Sequence, residues 1–331
     1  MEGIYLFSRG KSFRKIPEKN LIRFGEEGFS LGIEYEDRTG KNSLSYTVFG
    51  GERKRTKNGY PIERVSEMIG SFRAVLFYPD HLLLVKEGPE ERRNFLDVAI
   101  SQCYPVYLRA YSDYKRTVEQ RNCLLRLSSK GIPVDREELV AWSESLSEYA
   151  ATLYLYRKQY IEALEGYTSS FMKEISDGRE EVSLKYQCDI RETAKKEEAK
   201  ERYREVFLSD LDHEMNAGTT LYGMMRDDLS VRLNGKSARL FASQGQQRSL
   251  VLALKMAEGE VSRDLSGEYP VFLLDDVLSE LDGRRREFLL GGSGEKQILI
   301  TSCSKKETEG VTDHIIEVRD GGFYPLTEKG T

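Results

Sequence analysis

The sequence has little cysteine and little histidine, the residues that build most disulfide frameworks and zinc sites. Its four cysteines are far apart and include no C-x-x-C pair: Cys103, Cys123, Cys188 and Cys303. This spacing is typical of reduced cytoplasmic thiols and not of disulfides or zinc ligands. The three histidines are also scattered, at His81, His213 and His314. The sequence therefore indicates neither a metal cluster nor a histidine-based nucleophile.

The sequence also lacks a long apolar run and an excess of positive charge. No stretch approaches the roughly 20 apolar residues of a membrane span, and the N-terminus has no signal-peptide layout. The net charge is −5, from 50 Lys and Arg against 55 Asp and Glu. A protein that binds DNA over its whole surface is usually basic, so any DNA contact here must use local basic patches. The 331 residues, 39% of them hydrophobic, are enough for a soluble protein of two domains.

The segment from Phe241 to Asp282 carries the first pattern with chemical meaning, S-x-G-Q at 243–246, which opens a long apolar helix. Ser243 is a good N-cap residue, and Gly245 lets another molecule approach the backbone closely. The N-terminus of a helix, with a hydroxyl and free N–H groups, favours a bound phosphate.

The same segment continues with an apolar run and a pair of carboxylates. Val271–Leu274 is best explained as a buried parallel strand, and Asp275 and Asp276 follow it directly. Ligands bind at the carboxyl ends of strands in open α/β sheets, where one carboxylate can serve Mg²⁺ and the other an attacking water. Each piece alone also has a purely structural explanation. The first is an ordinary capped helix, and the second is a core strand that ends in a solvated Asp pair. The ordered set within about forty residues favours a functional site.

This ordered set resembles the ABC-type ATPase heads, with S-x-G-Q as signature motif, Asp275-Asp276 ending Walker B and S-E-L-D at 279–282 as D-loop. Within them, FASQGQQRS and LLDDVLSELD resemble the bacterial recombination-repair family RecF. Segments at 4–14, 75–97 and 226–229 resemble the same family in the expected order. The resemblance implies an α/β fold, an ABC-type ATPase head of the SMC/RecF kind. The head would comprise residues 1–100 and 216–331, with a helical arm inserted at 101–215.

The resemblance also implies roles for the site residues. Asp276 would act on the water, as the catalytic residue, and Asp275 would hold Mg²⁺. ATP would lie between two heads of an ATP-dependent homodimer. Six residues of one head would face the nucleotide of the other: Ser243, Gln244, Gly245, Gln246, Ser279 and Asp282.

The implied function is that of a DNA replication and repair protein with weak ATPase activity. Such a protein binds single-stranded and gapped DNA under ATP control. With the RecO and RecR mediators it supports recombinase loading, recombinational repair and SOS induction. Two departures from the family pattern put details in doubt. Met224-Met225 replaces the Pro-His of G-P-H-R-D-D, and Thr301-Ser302 stands where many ABC heads have a switch histidine.

The N-terminal part lacks a match to the P-loop pattern G-x-x-x-x-G-K-[ST]. Gly10-Lys11-Ser12 resembles its end, but the first glycine would fall on Tyr5. We interpret this tripeptide as a helix C-cap and expect the P-loop and its strand to be encoded upstream of Met1. Without that strand, we expect Val271–Leu274 to keep unpaired backbone groups and the head to be loosened.

Local basic residues are the candidate DNA contacts, although a solvated loop is about as good an explanation. They are Lys11, Arg14, Arg53, Lys54, Arg55 and Lys57. Alternation at 29–35 and 44–48 predicts antiparallel strands, and Asn58-Gly59 a tight turn.

The inserted region, about 100–215, is predicted to be helical. Its apolar residues from Leu139 to Tyr160 follow a heptad pattern, which with the preceding helix predicts an antiparallel hairpin. The helical spacing of the tyrosines on that preceding helix favours core packing over base stacking. Residues 192–202 are predicted to form a charged helix.

Two alternatives stay open. One is a DNA-binding or scaffold protein without ATPase activity, and the other is the nucleotide-binding subunit of an ABC transporter. The Asp-Asp pair in place of Asp-Glu and the long helical insertion count against the transporter.

Overall fold

The N-terminal part forms a short helix and an antiparallel meander. The structure, a computed structural model, describes residues 1–14, 16–291, 293–304 and 314–326. The elements up to residue 77 are α1 (Glu2–Arg9), β1 (Gly28–Asp37), β2 (Gly40–Phe49), β3 (Glu52–Lys57), β4 (Tyr60–Pro61) and β5 (Ala74–Phe77). Strands β1 to β4 form one sheet in sequential order.

Local signals in this part are confirmed. Gly10 ends α1 in the left-handed conformation (φ 75°), and its N–H donates to the carbonyl of Leu6, so it is a C-cap. Asn58 and Gly59 both have positive φ, 52° and 80°, as a type I′ turn requires. The alternation is also correct, because Leu44, Tyr46 and Val48 are buried.

The middle of the chain is mainly helical. Its elements are α2 (Pro89–Cys103), α3 (Pro105–Ser128), α4 (Arg136–Ser176), β6 (Val182–Gln187), α5 (Lys196–Ser209) and α6 (Leu211–Ala217). The predicted hairpin is present as α3 packed along α4. Four heptad positions of α4 are buried, namely Leu139, Leu146, Leu153 and Tyr160.

Two expectations for this region were wrong in detail. The region is not helical throughout, because β6 pairs with a later strand; Val182 and Leu184 are buried and alternate with exposed Ser183 and Lys185. The charged helix α5 begins at Lys196, so the 192–202 prediction starts four residues early. Glu192 instead pairs with Lys158 on α4, at 2.9 Å.

The C-terminal part returns the chain to the sheet with the carboxylate pair. Its elements are β7 (Asp228–Leu233), β8 (Lys236–Ser237), α7 (Ala238–Phe241), α8 (Gln244–Ser266), β9 (Val271–Asp275), α9 (Gly283–Leu290), β10 (Ile298–Thr301), β11 (Ile315–Arg319) and β12 (Gly322–Leu326). Strands β6, β7 and β8 form an antiparallel sheet, and β11 pairs with β12.

Strand β9 lies in the middle of a parallel sheet of order β10-β9-β5. The expectation that its backbone would be unpaired was therefore wrong, because β5 and β10 bond to its two sides. Its side chains enter two cores. Leu273 packs with Tyr5 and Leu76 on one face, whereas Phe272 and Leu274 pack on the other. Burial on both faces explains the uninterrupted apolar run.

Helix α8 is enclosed by the larger core. Every residue from Ser249 to Ser262 is buried, which is typical of a helix surrounded by other elements. A Cβ at Gly259 would come within 2.2 Å of the Phe272 ring, so glycine is needed where α8 crosses β9. No helix in the described ranges has the length and apolar character that crossing a membrane requires.

Candidate functional site

The carboxylate pair lies where β9 ends, and Thr301 at the end of β10 holds it. The Thr301 hydroxyl donates to Asp275 Oδ1 at 2.7 Å. The backbone N–H of Asp276 donates to the same hydroxyl oxygen at 3.1 Å and to the Thr301 carbonyl at 3.3 Å. One threonine therefore fixes the Asp275 carboxylate and the Asp276 backbone; Asp275 is half-buried and Asp276 is exposed.

Asp276 has an uncommon backbone conformation. Its φ is +56°, in the left-handed region that residues other than glycine seldom adopt. Such strain persists where surrounding contacts enforce it, and it is concentrated at functional sites. The two bonds to Thr301 supply that enforcement, and Ser279 Oγ donates to the Asp276 carbonyl at 3.2 Å.

The donors at this strand end fit Mg²⁺ that is shared with a phosphate. Asp275 offers a half-buried carboxylate, a hard oxygen ligand of the type Mg²⁺ prefers. Nowhere in the described residues do three His, Cys, Asp or Glu side chains form a metal-holding group. Mg²⁺ commonly uses one or two carboxylates and takes its other ligands from water and substrate phosphates. Asp275 is therefore the candidate ligand, with Asp276 beside it.

The S-x-G-Q motif forms the N-terminus of α8 through a capping box. Ser243 Oγ accepts from the N–H of Gln246 at 3.3 Å, and Gln246 Oε1 accepts from the N–H of Ser243 at 2.8 Å. The other end of the Gln246 amide donates to Glu180 at 2.8 Å. Gln246 thus orients the helix end, whereas Ser243 and Gln244 are exposed. The Ser243 hydroxyl accepts in the capping box and keeps its own proton available to donate.

Arg285 joins the S-x-G-Q helix to the D-loop, and sequence reasoning missed it. Its Nη2 donates to the Gly245 carbonyl at 2.8 Å and its Nε to Ser249 Oγ at 2.9 Å. Its Nη1 pairs with Asp282, which also caps α9 by accepting from the Arg285 N–H at 3.0 Å. The D-x-x-R spacing of Asp282 and Arg285 was the sequence signal that could have indicated this contact.

A second link joins Arg248 of the same helix to Glu280, at 2.7 Å. The structure thus brings the predicted residues together in two groups. Asp275, Asp276 and Ser279 gather with Thr301 at the strand end. The residues 243–246 gather with Asp282 at the start of α8.

The predicted basic cluster on β3 does not form one face. Side chains alternate along a strand, so Arg53, Arg55 and Lys57 lie on the side of buried Tyr46, and Lys54 lies on the other. Arg55 lies over the Tyr46 ring at 4.6 Å, and partial burial lowers its pKa.

Several of these candidates also have partners. Arg53 pairs with Glu18 at 2.6 Å, Lys54 with Glu52 at 4.0 Å and Arg14 with Glu2 at 3.8 Å. Lys57 donates to Ser71 at 2.8 Å. The role of these residues and of Lys11 in DNA binding stays a prediction.

A buried ionic network, also missed, joins α2, α4 and the segment before β7. Arg157 pairs with Asp97 at 2.7 Å and with Asp227 at 3.1 Å, and its side chain is 1% exposed. Tyr107 on α3 donates to Asp97, so this tyrosine is a packing residue, as predicted. Burial raises the pKa of the Asp227 carboxyl to about 6. The carbonyl of Met224, which stands at the proline position of the family's G-P-H-R-D-D pattern, accepts from Arg157 at 3.1 Å.

Fold and site together define an ABC-type ATPase head of the SMC and RecF kind. DNA replication and repair protein RecF of Clostridioides difficile (strain 630) is 35% identical over 338 residues, which cover 100% of this chain and 89% of the relative. RecF of Geobacillus kaustophilus (strain HTA426) is 37% identical over 320 residues, with 96% and 85% covered. The chain belongs to the RecF family, which sets the transporter alternative aside. No protein-family model matches the chain.

Solved structures show the same likeness. One described as the recombination mediator protein RecF-ATPrS in the RecFOR pathway has a TM-score of 0.90 and 31% identity, covering 98% of this chain and 88% of its own. A second, described as RecF-ATP in that pathway, has a TM-score of 0.89 and 29% identity, covering 98% and 87%. An SMC head bound to the C-winged helix domain of ScpA, at 15% identity and a TM-score of 0.52, shares the fold.

Proposed function

We propose that this chain acts as a RecF-type DNA replication and repair protein, which binds single-stranded and gapped DNA under the control of ATP. The observation that carries the proposal is the Asp275-Asp276 pair, in which Thr301 holds the Asp275 carboxylate and the strained Asp276 backbone, in a chain related to RecF over its whole length. Two solved relatives described as RecF-ATPrS and RecF-ATP support ATP as the nucleotide. By the same relation, the function includes recombinational repair with RecO-type and RecR-type mediators in the cytoplasm.

The proposed head is built from the two ends of the chain, and the proposed arm from its middle. Residues 1–100 and 216–331 would form the ATPase head, and 101–215 the inserted arm. Helices α3, α4 and α5 support a mainly helical arm. The pairing of β6 with β7 supports a firm joint between arm and head, because the two strands come from different parts.

The proposed chemistry assigns Asp275 to Mg²⁺ and Asp276 to the attacking water. One Asp275 carboxylate oxygen accepts a hydrogen bond from the Thr301 hydroxyl, and the other would bind a ligand. Asp276 is exposed and can accept a proton from water, the role of a general base.

The S-x-G-Q residues would face a nucleotide held by a second copy of the chain. Ser243 and Gln244 are exposed at the α8 N-terminus, and the end of a helix suits a phosphate. Ser279 and Asp282 would complete this surface. Arg285 would hold the S-x-G-Q residues and the D-loop residues in a fixed relative position, because it contacts both Gly245 and Asp282.

A titration of labelled gapped DNA tests the proposal, with and without Mg²⁺–ATP. Two proteins are compared, the chain itself and a version supplied with a G-x-x-x-x-G-K-[ST] loop and strand at its amino end. We expect both to bind DNA and the second to bind more tightly with ATP. DNA binding that ATP never changes would favour the scaffold alternative, and no DNA binding by either protein would refute the proposal.

A further inference from the structure

The outer face of α3 carries a stripe of exposed cations. Five exposed Lys and Arg residues lie on the helix and the turn that follows it, and we call them the α3 stripe: Arg109, Lys115, Arg116, Arg126 and Lys130. With 3.6 residues per turn, the four stripe residues within the helix fall within about one third of its circumference.

Packing fixes the direction of the stripe. The opposite face of α3 buries Tyr107, Tyr114 and Leu125 against α4 and the rest of the core. Arg121 on that face is also fully buried and pairs with Glu214 at 2.5 Å. Because these contacts prevent rotation of the helix, the stripe faces outward.

Acidic neighbours offset only part of the charge of the α3 stripe. Among the exposed residues of 105–130, the one acid is Glu119, which lies on the same face as the five cations. Arg116 is 4.0 Å from half-buried Asp113, and the other four stripe residues form no ion pair with any residue in the described ranges.

Helix α5 shows the opposite arrangement. Its Lys196 and Lys200 both pair with Glu148, at 2.5 and 2.8 Å, and Arg204 is 3.5 Å from Glu144. A stripe of cations that are mostly without ion-pair partners, in a protein of net charge −5, indicates an anionic ligand.

Duplex DNA is the anion that fits the shape of the stripe. From Arg109 to its end at Ser128 the helix rises about 28 Å at 1.5 Å per residue, and a duplex carries one charge per roughly 1.7 Å along this length. Guanidinium groups bind phosphates through two hydrogen bonds. None of the exposed residues of 105–130 is aromatic, whereas single-strand sites use aromatic rings to stack bases.

We propose that the α3 stripe binds the phosphate backbone of the duplex that flanks a DNA gap. This inference rests on the proposed function and adds the surface that holds the double-stranded side of the substrate. The contacts are to phosphates, so they position the protein without reading the base sequence.

The test replaces three stripe residues in the full chain, as Arg109→Gln, Arg116→Gln and Lys130→Gln together. The matched control is Lys196→Gln, Lys200→Gln and Arg204→Gln on α5, which removes the same charge from residues already paired with acids. Glutamine keeps a helix propensity close to that of Lys and Arg. Fluorescence anisotropy with a duplex of about 30 base pairs is recorded from 50 to 200 mM salt, the range over which phosphate contacts weaken binding.

We expect the stripe variant to lose at least about tenfold in affinity and to lower the slope of log K against log salt by about 2.7, three contacts at roughly 0.9 each. The α5 control should change that slope by less than about one unit. Circular dichroism confirms that both variants fold.

An unchanged slope in the stripe variant, or an equal loss in the control, overturns the inference while leaving the proposed function intact. Failure of the parent chain to bind any DNA overturns both.

Discussion

Asp276 is held by its neighbours in a backbone conformation that it would seldom adopt alone. Left-handed φ at a non-glycine residue costs on the order of 1–3 kcal/mol. The Asp276 N–H offsets this cost by donating to the hydroxyl oxygen and the carbonyl of Thr301. The strain places the Asp276 carboxylate outside the sheet while Asp275 stays within reach of the Thr301 hydroxyl. Adjacent carboxylates thereby acquire different surroundings and, by our proposal, different roles.

This difference predicts two distinct failures in a version supplied with a P-loop. Asp276→Asn should keep Mg²⁺–ATP binding and lower hydrolysis by about 10²-fold or more, as expected for loss of a general base. Asp275→Asn should weaken Mg²⁺–ATP binding itself, because the metal loses a carboxylate. Nucleotide titration and turnover assays separate the two.

Asp320→Asn is the matched control for these two variants. Asp320 is exposed and also has positive φ, 48°, but it lies in the turn of the separate β11–β12 sheet. It should leave binding and turnover unchanged. The same defect in the Asp275 and Asp276 variants would contradict the assignment.

Asp227 makes stability depend on pH. Its pKa rises from 3.8 to about 6 because it is buried, so the folded state binds the proton more tightly than the unfolded state does. The stabilisation from the protonated form is complete below pH 4 and is lost as the pH rises through 6. At 1.36 kcal/mol per pKa unit, the loss is about 3 kcal/mol.

Asp227→Asn should remove this component. Urea unfolding between pH 4 and 8 should show the stability of the parent falling by about 3 kcal/mol relative to the variant. Because other titrating groups are common to both proteins, the difference between the curves isolates Asp227. Parallel curves would show that the carboxyl does not titrate in this range.

At the scale of elements, helix α8 serves both the core and the exposed surface. Its residues from Ser249 to Ser262 are buried, whereas its first turn is open to solvent. Arg285 and Arg248 tie this open turn to the D-loop. A partner head would therefore meet the signature and the D-loop as one rigid surface.

Ser243→Arg tests this surface. In the version supplied with a P-loop, the variant should bind ATP as well as the parent does but should not form ATP-dependent dimers, because a bulky side chain stands at the contact. Loss of the N-cap should also cost about 1 kcal/mol of stability. Sedimentation with and without ATP measures the dimer.

Ser145→Arg provides the same substitution at an exposed position of α4. It should dimerise normally. Dimers of Ser243→Arg with normal turnover would mean that the two heads do not share their nucleotides in the proposed way.

At the scale of the whole molecule, the sequence has no P-loop match, and this predicts weak nucleotide binding by the chain itself. A P-loop supplies charge-assisted hydrogen bonds of about 1.5–3 kcal/mol each, so three of them contribute roughly 5–9 kcal/mol. Micromolar affinity corresponds to about 8 kcal/mol. Asp275 and the S-x-G-Q residues cannot replace that contribution, since by our proposal Asp275 serves the metal and the S-x-G-Q residues face a second copy.

Calorimetric titration of ATP with Mg²⁺ checks this prediction. The chain should bind ATP more weakly than about 1 mM, and the version supplied with a P-loop should approach micromolar affinity. Micromolar, Mg²⁺-dependent binding by the chain itself would refute it.

The sequence alone determined the features that depend on neighbours in the chain. The Asn58-Gly59 turn, the Gly10 cap, the Ser243 cap and the heptad pattern of α4 follow from local backbone preferences and side-chain periodicity. The motif order between 241 and 282 was also sufficient to identify the ABC-type head. These signals act over a few residues, so they can be recognised without the fold.

Tertiary structure decided what depends on residues distant in sequence. Strand β6 was hidden because its six residues acquire their partner only 46 positions later, at β7. Thr301 and Arg285 became site residues because β10 pairs with β9 and α9 packs on α8. The buried network around Arg157 and the outward direction of the α3 stripe depend on how helices pack, since packing determines which polar side chains lose water and which keep it.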